Sequence, residues 1–252
     1  MRALGLIATT LITSAFTSHA SAQDWEVTLT PYVWVAFPKG DVKVLGERRG
    51  GGGTGDANLI DAEFNDVKLS GAFTGSADVR YQRFGVLGDL TYYEIESDSD
   101  ISVGRLPAIN GEMTISGTKG LLVGYWRAYA TEQSSIDLLG GVHYLGVEIK
   151  ATVSTANASV SGKVEKDLWD PVVGVRGQTR FGERFGVTGL ATIGGGGSAD
   201  SLYEVQGYLT YQFTPSIRGL AGYRFYSTEW DGDRVEYDTS FSGPLVGVSF
   251  TF

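Results

Sequence analysis

The chain has 252 residues, no cysteine, 20 basic and 29 acidic side chains, and a formal net charge of −9. The missing thiols exclude disulfides, Cys-ligated metals, a Cys nucleophile and a lipid-modified N-terminal Cys, and the acidic balance argues against nucleic acid as a partner, since phosphate backbones need basic patches. Abundant glycine (36 residues), 12% aromatics and a mean hydropathy of −0.03 disfavour a helical bundle and leave open a curved sheet whose alternating strands hide an apolar face.

Residues 1–22 come first. Arg2 is followed by an apolar run over residues 3–12 and then by Ala20-Ser21-Ala22. The run is too short to cross a bilayer as a helix. Positive start, short apolar core and A-x-A site together predict a secretory signal peptide cleaved after Ala22. The mature chain, from Gln23, would hold 230 residues with a net charge of −10, enough for one large β domain.

Residues 25–37 alternate. Trp25, Val27, Leu29, Pro31, Val33, Val35 and Phe37 share one face, and Glu26, Thr28 and Thr30 begin the other. Side chains in a strand alternate faces, so one face is wholly apolar and bracketed by aromatics, as lipid requires. The pattern recurs over 69–81, with Asp78 and Arg80 on the polar face. It returns over 84–92 with Asp89 opposite Phe84, Val86 and Leu90. Residues 121–130 form a strand whose outward set is Leu122, Trp126, Ala128 and Ala130, because the other face carries Arg127. Residues 136–144 put Asp137 and His143 opposite Ile136, Leu138 and Val142. Residues 169–181 set Trp169, Val173, Val175 and Phe181 against Asp170, Arg176 and Arg180. Residues 185–193 and 203–213 follow, the latter with Glu204 on its polar face. Residues 217–225 carry Arg218 and Arg224, and 235–252 end the chain.

These are ten strands. Gln82-Arg83, residues 131–135, Gly182-Glu183-Arg184 and Thr214-Pro215-Ser216 make short turns. Longer polar connections are expected over 38–68, 97–112, 151–163, 194–200 and 229–234. The reading is an all-β protein, a ten-stranded antiparallel transmembrane β-barrel with short periplasmic turns and longer extracellular loops. Aromatics at the turn ends and again about ten residues up make the two belts that headgroup interfaces select. The rival is a soluble β-sandwich, whose core rarely puts aromatics at both ends of nearly every strand.

The last residues read Gly247-Val248-Ser249-Phe250-Thr251-Phe252. Phe250 and Phe252 share a face, and the spacing with Gly247 resembles the C-terminal assembly signal of bacterial outer-membrane barrels. Residues 170–177 (Asp-Pro-Val-Val-Gly-Val-Arg-Gly), the Gly-rich block at 193–198, Gly222-Tyr223-Arg224-Phe225 and Gly243-Pro244-Leu245-Val246-Gly247 resemble the ordered blocks of a family of small proteobacterial outer-membrane β-barrel proteins. Thr30-Pro31-Tyr32-Val33-Trp34 is similar to its opening strand. The resemblance covers most of the mature chain and implies fold and outer-membrane location, with no particular activity. Where the family commonly has an aromatic inside the Gly-rich block, this chain has Gly196.

Alternation predicts a lumen charge network of Asp78, Arg80, Asp89, Asp137, His143, Asp170, Arg176, Arg180, Glu204, Arg218 and Arg224. In a narrow barrel such charges should pair across the bore, because an unpaired buried charge is costly; the functional alternative is a selective channel lining. Arg176, Arg218 and Arg224 are expected to pair with acids among Asp78, Asp89, Asp170 and Glu204. Inward Gly174 and Gly222 are expected to leave local gaps. His143, the only histidine beyond the leader, reads either as a general base or as a hydrogen-bonded lumen histidine. The second is preferred, because no acidic motif of the omptin-type proteases accompanies it and His143-Tyr144-Leu145-Gly146 does not fit an outer-membrane lipid deacylase. Arg48 to Gly55 lacks the Lys-Ser/Thr ending of a phosphate loop. The acidic clusters Glu94, Glu96, Asp98, Asp100 and Glu229, Asp231, Asp233, Glu236, Asp238 match no EF-hand spacing and read as solvated loops. The weaker reading is a divalent-cation bridge to lipopolysaccharide phosphates.

The expected function is a non-catalytic barrel of the Gram-negative outer membrane with a structural or surface-interaction role. The alternative is a narrow channel for small solutes or ions; an outer-membrane hydrolase is weaker. No cofactor or metal is expected. Expected partners are outer-membrane lipid, lipopolysaccharide and the outer-membrane assembly machinery, and the barrel is expected to be monomeric and nearly closed.

Overall fold

The computed structural model describes residues 25–46, 57–63, 68–101, 109–155, 158–232 and 235–252. The expected leader and the 48–55 loop lie outside the described residues. Twelve strand segments form one antiparallel sheet: β1 (Trp25–Trp34), β2 (Phe37–Gly46), β3 (Ala57–Glu63), β4 (Lys68–Tyr81), β5 (Phe84–Ile101), β6 (Ile109–Ala130), β7 (Ser134–Thr155), β8 (Ala158–Phe181), β9 (Phe185–Gly194), β10 (Ser201–Thr214), β11 (Ile217–Gly232) and β12 (Val235–Thr251). There is no helix among the described residues.

The segments make ten staves. β1 and β2 lie along β12 in one register, with Trp34 opposite Leu245 and Phe37 opposite Ser242. The interruption at residues 35–36 faces Pro244, which has no N–H to give to the ladder. β3 returns beside β2 and β4 beside β1. From β4 to β12 each strand pairs with the next, and β12 pairs back to β1. The sheet therefore closes on itself and has no free edge at that level.

Phase follows the sequence reading. In β9, Phe185, Val187, Gly189 and Ile193 are exposed, while Thr188, Leu190 and Thr192 are buried. Leu122 and Trp126 of β6 face outward; a register shift between Arg127 and Tyr129 then leaves Tyr129 exposed. The aromatics form two belts. On the turn side Trp25 packs at a tilt on Tyr81 (centroids 4.8 Å apart), Phe181 stacks on Phe185 (6.2 Å), and Phe185 meets Tyr211 edge to face (5.1 Å). Above, Phe73 pairs with Tyr92 across β4 and β5, Tyr144 meets Trp169 (4.7 Å), and Tyr203 meets Phe225 (5.6 Å). Between the belts the outward positions of β9 and β10 are Val187, Gly189, Ala191, Val205, Gly207 and Leu209. A soluble surface does not carry so continuous an apolar band; a barrel crossing lipid requires it.

The loop side differs from expectation. Residues expected as connections over 38–68 contain β2 and β3. β5 runs on to Ile101 and β6 starts at Ile109; β7 and β8 pair from Ser134↔Thr179 up to Thr155↔Ala158; β11 runs to Gly232. Strands of 22–24 residues are about twice the 9–11 residues that cross a bilayer, so the hairpins stand well clear of it. Above the lipid the apolar alternation of the sequence stops, but ladder hydrogen bonding does not need it.

Gly174 and Gly222 do not leave gaps. A Cβ on Gly222 would collide with the Gly207 carbonyl oxygen and lie 2.5 Å from Tyr208 Cα, and one on Gly174 would collide with the Ala191 oxygen. A small barrel bends its wall strongly, and these glycines sit where the neighbouring backbone closes onto the strand.

Candidate functional site: the filled bore and its turn-side vestibule

Alternation sends two kinds of side chain inward. One is apolar: Trp34, Leu87, Leu121, Val123, Tyr125, Leu139, Val172, Leu190, Leu202, Leu220, Tyr226, Phe241 and Leu245 form a buried core. The other is ionic, and it is organised in two four-charge clusters, one above the other.

The lower cluster joins β4, β6, β7 and β8. The Arg176 guanidinium donates to Asp78 (2.5 Å) and, from Nε and Nη2, to Asp137 (3.0 and 2.8 Å). Arg127 reaches the same Asp137 through Nε at 2.8 Å. Tyr125 donates to Asp78 (2.7 Å), and its ring lies under Arg176 at 4.4 Å. Two guanidiniums meet two carboxylates, so the cluster is neutral.

The upper cluster joins β1, β5, β6, β10 and β11. Lys119 donates to Glu204 at 2.6 Å, and Arg224 Nη2 lies 2.7 Å from the other Glu204 oxygen and 2.9 Å from Asp89. Tyr32 donates to Asp89 (2.5 Å) while accepting from Arg224 Nη1 (2.6 Å). The Arg224 guanidinium sits 4.9 Å from the Trp34 ring and Lys119 Nζ 4.9 Å from the Tyr226 ring. Two cations again meet two anions. Glu204 and Arg224 are both 0% exposed. A water-filled passage would leave the groups that line it wet, so the bore is shut at this level.

The remaining sequence candidates have other placements. Arg80 pairs with Glu26 (2.8 Å) near the turns. Arg218 points inward but donates Nε to Gln212 (3.0 Å), not to an acid. Among the described residues Asp170 takes no arginine; its Oδ1 accepts the backbone N–H groups of Ser198 and Ala199, both at 2.8 Å. It thereby holds the 195–200 turn, where Gly195 and Gly196 have φ of 135° and 75°, a conformation open to glycine. Arg180 donates to the Glu132 carbonyl and lies at the exposed rim. His143 is buried and stacked on Tyr226 at 5.2 Å, with no hydrogen-bond partner on either ring nitrogen among the described residues. The expected hydrogen-bonded histidine is therefore a stacked one, because Leu121 lies opposite it on β6 and Asp170 opposite it on β8 is engaged by the turn.

Lys119 is the inward charge that the sequence reading misses. It shares the phase of Leu121, Val123, Tyr125 and Arg127, and its signal is that same alternation, carried two residues ahead of the strand expected over 121–130. Below the upper cluster the bore opens toward the short turns. A cavity of about 130 Å³ runs from Asp89 and Leu245 down to Arg218 and Glu26 and widens into a mouth of about 500 Å³. Gly247 lies where a Cβ would collide with Tyr32 Cβ. Phe250 pairs with Leu29 and Ile217, and Phe252 exchanges backbone hydrogen bonds with Val27, so this end of β12 forms the closing seam. Among the described residues no group of three or more His, Asp or Glu side chains is placed to hold a metal ion.

No protein-family model matches the chain, and no curated protein does. Solved structures do. The outer membrane protease OmpT from Escherichia coli superposes with a TM-score of 0.58 at 10% identity, over 94% of this chain and 99% of that one. The translocator domain of the autotransporter NalP from Neisseria meningitidis gives 0.48 at 14% identity over 93% and 90%, and the attachment invasion locus protein Ail of Yersinia pestis 0.36 at 11% over 91% and 99%. At such identities the likeness to OmpT is one of fold. The chain has the fold of an outer-membrane β-barrel, closed by ten antiparallel staves.

Proposed function

We propose that the protein is an integral outer-membrane β-barrel of the Gram-negative envelope, a structural or surface-interaction protein without catalytic activity or an open pore. The observation that carries this reading is the neutral, fully buried Lys119–Glu204–Arg224–Asp89 cluster packed among apolar side chains across the bore. A porin needs a wet lining, which the desolvated cluster does not supply, and His143, the candidate general base, is buried against Tyr226. Outer-membrane lipid is the partner of the apolar band. Lipopolysaccharide and the assembly machinery would be met at its two rims, and the protein acts as a monomer.

The second reading is a narrow channel, favoured by the turn-side vestibule. To conduct, Lys119 and Glu204 would have to part. In planar bilayers the purified barrel should give no stable conductance, or only a small one of low selectivity. Steady, large single-channel steps would overturn the closed-barrel reading.

The seam gives a second test. Phe250 and Phe252 are outward aromatics where β12 meets β1. Changing both to Ser should lower the outer-membrane level several-fold and raise periplasmic degradation, read by fractionation and immunoblotting. Unchanged insertion would show that the seam does not depend on them.

A further inference from the structure

We infer that the turn-side vestibule is a binding pocket for a small oxyanion, a carboxylate or phosphate group, with Arg218 as its anchor. Three observations lead there. First, the pocket is blind: the upper cluster and the core above it close one end, and the mouth opens between the short turns. This rests on the closed-bore reading. Second, the charge of its wall runs against that of the chain. The protein is acidic overall, at −9, yet five guanidiniums and three carboxylates line the mouth. Two of the five are already engaged with carboxylates, Arg80 with Glu26 and Arg127 with Asp137. Third, Arg218 lines both the inner cavity and the mouth, and only its Nε is used, on Gln212. Its two terminal nitrogens take no partner among the described residues.

Among the described residues, every other arginine deep in the bore is neutralised, and at the mouth Arg180 is used on the Glu132 carbonyl and Arg184 on the Tyr211 hydroxyl. Arg176 and Arg127 share Asp137, and Arg224 shares Asp89 and Glu204. Arg218 is the exception, and it stands where solvent and solutes enter. A guanidinium with two free N–H groups on one edge matches a carboxylate or phosphate edge in the paired geometry that makes such contacts strong. Thr210 and Gln178, of which the first lines both compartments and the second does too, add a hydroxyl and an amide for the remaining oxygens. The inner volume admits a group of a few heavy atoms, so the occupant is a small solute or one end of a larger one.

The experiment is calorimetric titration of the detergent-folded full barrel at fixed ionic strength, with inorganic phosphate in one arm and succinate in the other. Saturable binding is expected in at least one arm; phosphate alone would mark a phosphoryl site and succinate alone a carboxylate site. Arg218→Gln should weaken it by about tenfold or more, equivalent to the loss of a charge-assisted pair. Arg218→Lys, which keeps the charge but not the fork, should fall between. Lys150→Gln, on the loop side, should change nothing. Folding of each variant is checked by its heat-dependent gel mobility, and Arg218→Lys decides the matter if Arg218→Gln does not fold. Absence of saturable heat in both arms, or undiminished binding by the Arg218 variants, overturns the assignment. A conducting barrel that still binds in an Arg218-dependent way would instead refute only the closed-bore reading.

Discussion

Glu204→Gln should destabilise the folded barrel by about 3–5 kcal/mol, the usual cost of removing one partner from a buried ion pair. The carboxylate holds two cations at once, Lys119 at 2.6 Å and Arg224 at 2.7 Å, and none of the three groups reaches water. With a neutral amide there, one positive charge is left over against Asp89 in a desolvated bore. The double variant Lys119→Met/Glu204→Gln removes one charge of each sign, leaves Arg224 on Asp89, and should recover most of the loss. Unfolding by urea in lipid vesicles, followed by tryptophan fluorescence and gel mobility, measures both. The coupling energy of the cycle isolates the pair. A single-variant loss below about 1 kcal/mol, the range of exposed pairs, would mean that water reaches the cluster and that the bore is not shut.

Most of the barrel is legible in the sequence because a bilayer imposes one constraint on every stave. Along residues 185–193 and 203–213 the outward set is apolar at each second position, and the inward set is read by subtraction. That route alone places Asp78, Asp89, Asp137, Arg176, Glu204 and Arg224 inside. It fails where the constraint lapses. Above the lipid, 97–112 and 151–163 lose the alternation and look like loops, although the ladders continue over 97–101, 109–112, 151–155 and 158–163. Lys119 is lost at that same boundary. Partner choice is the second limit. Phase says that Asp170 and Arg218 face inward but not at what height, and height decides. Asp170 lies level with the 195–200 turn and is consumed by its N–H groups, while Arg218 lies in the vestibule beside Gln212. The glycines mislead for a third reason. An inward glycine can mark a gap or a close approach, and at Gly174 and Gly222 it is the curvature of the wall, invisible in one strand, that makes it the latter.

Leu209→Arg is the corresponding test of the outer surface. Leu209 is 60% exposed and lies on β10 between the aromatic levels of Tyr203 and Phe213. Its neighbours across the ladder, Val187 and Ala221, are apolar and outward as well. If this surface met water, an exposed Leu changed to Arg would shift stability by no more than about 0.5 kcal/mol. In lipid the guanidinium must be desolvated or dragged to an interface. At the bilayer midplane that costs about 2–4 kcal/mol, falling to about 0–1 kcal/mol near the headgroups. Leu209→Arg should therefore cost several times more than Phe213→Arg, which places the same charge at the turn-side belt. Both are measured by reversible unfolding from vesicles and by the fraction that folds on dilution from urea. The gradient between the two sites, more than either value, reports the depth of the band. Equal costs at the two positions would remove the midplane from between the belts, and a negligible cost at both would return the chain to the soluble class.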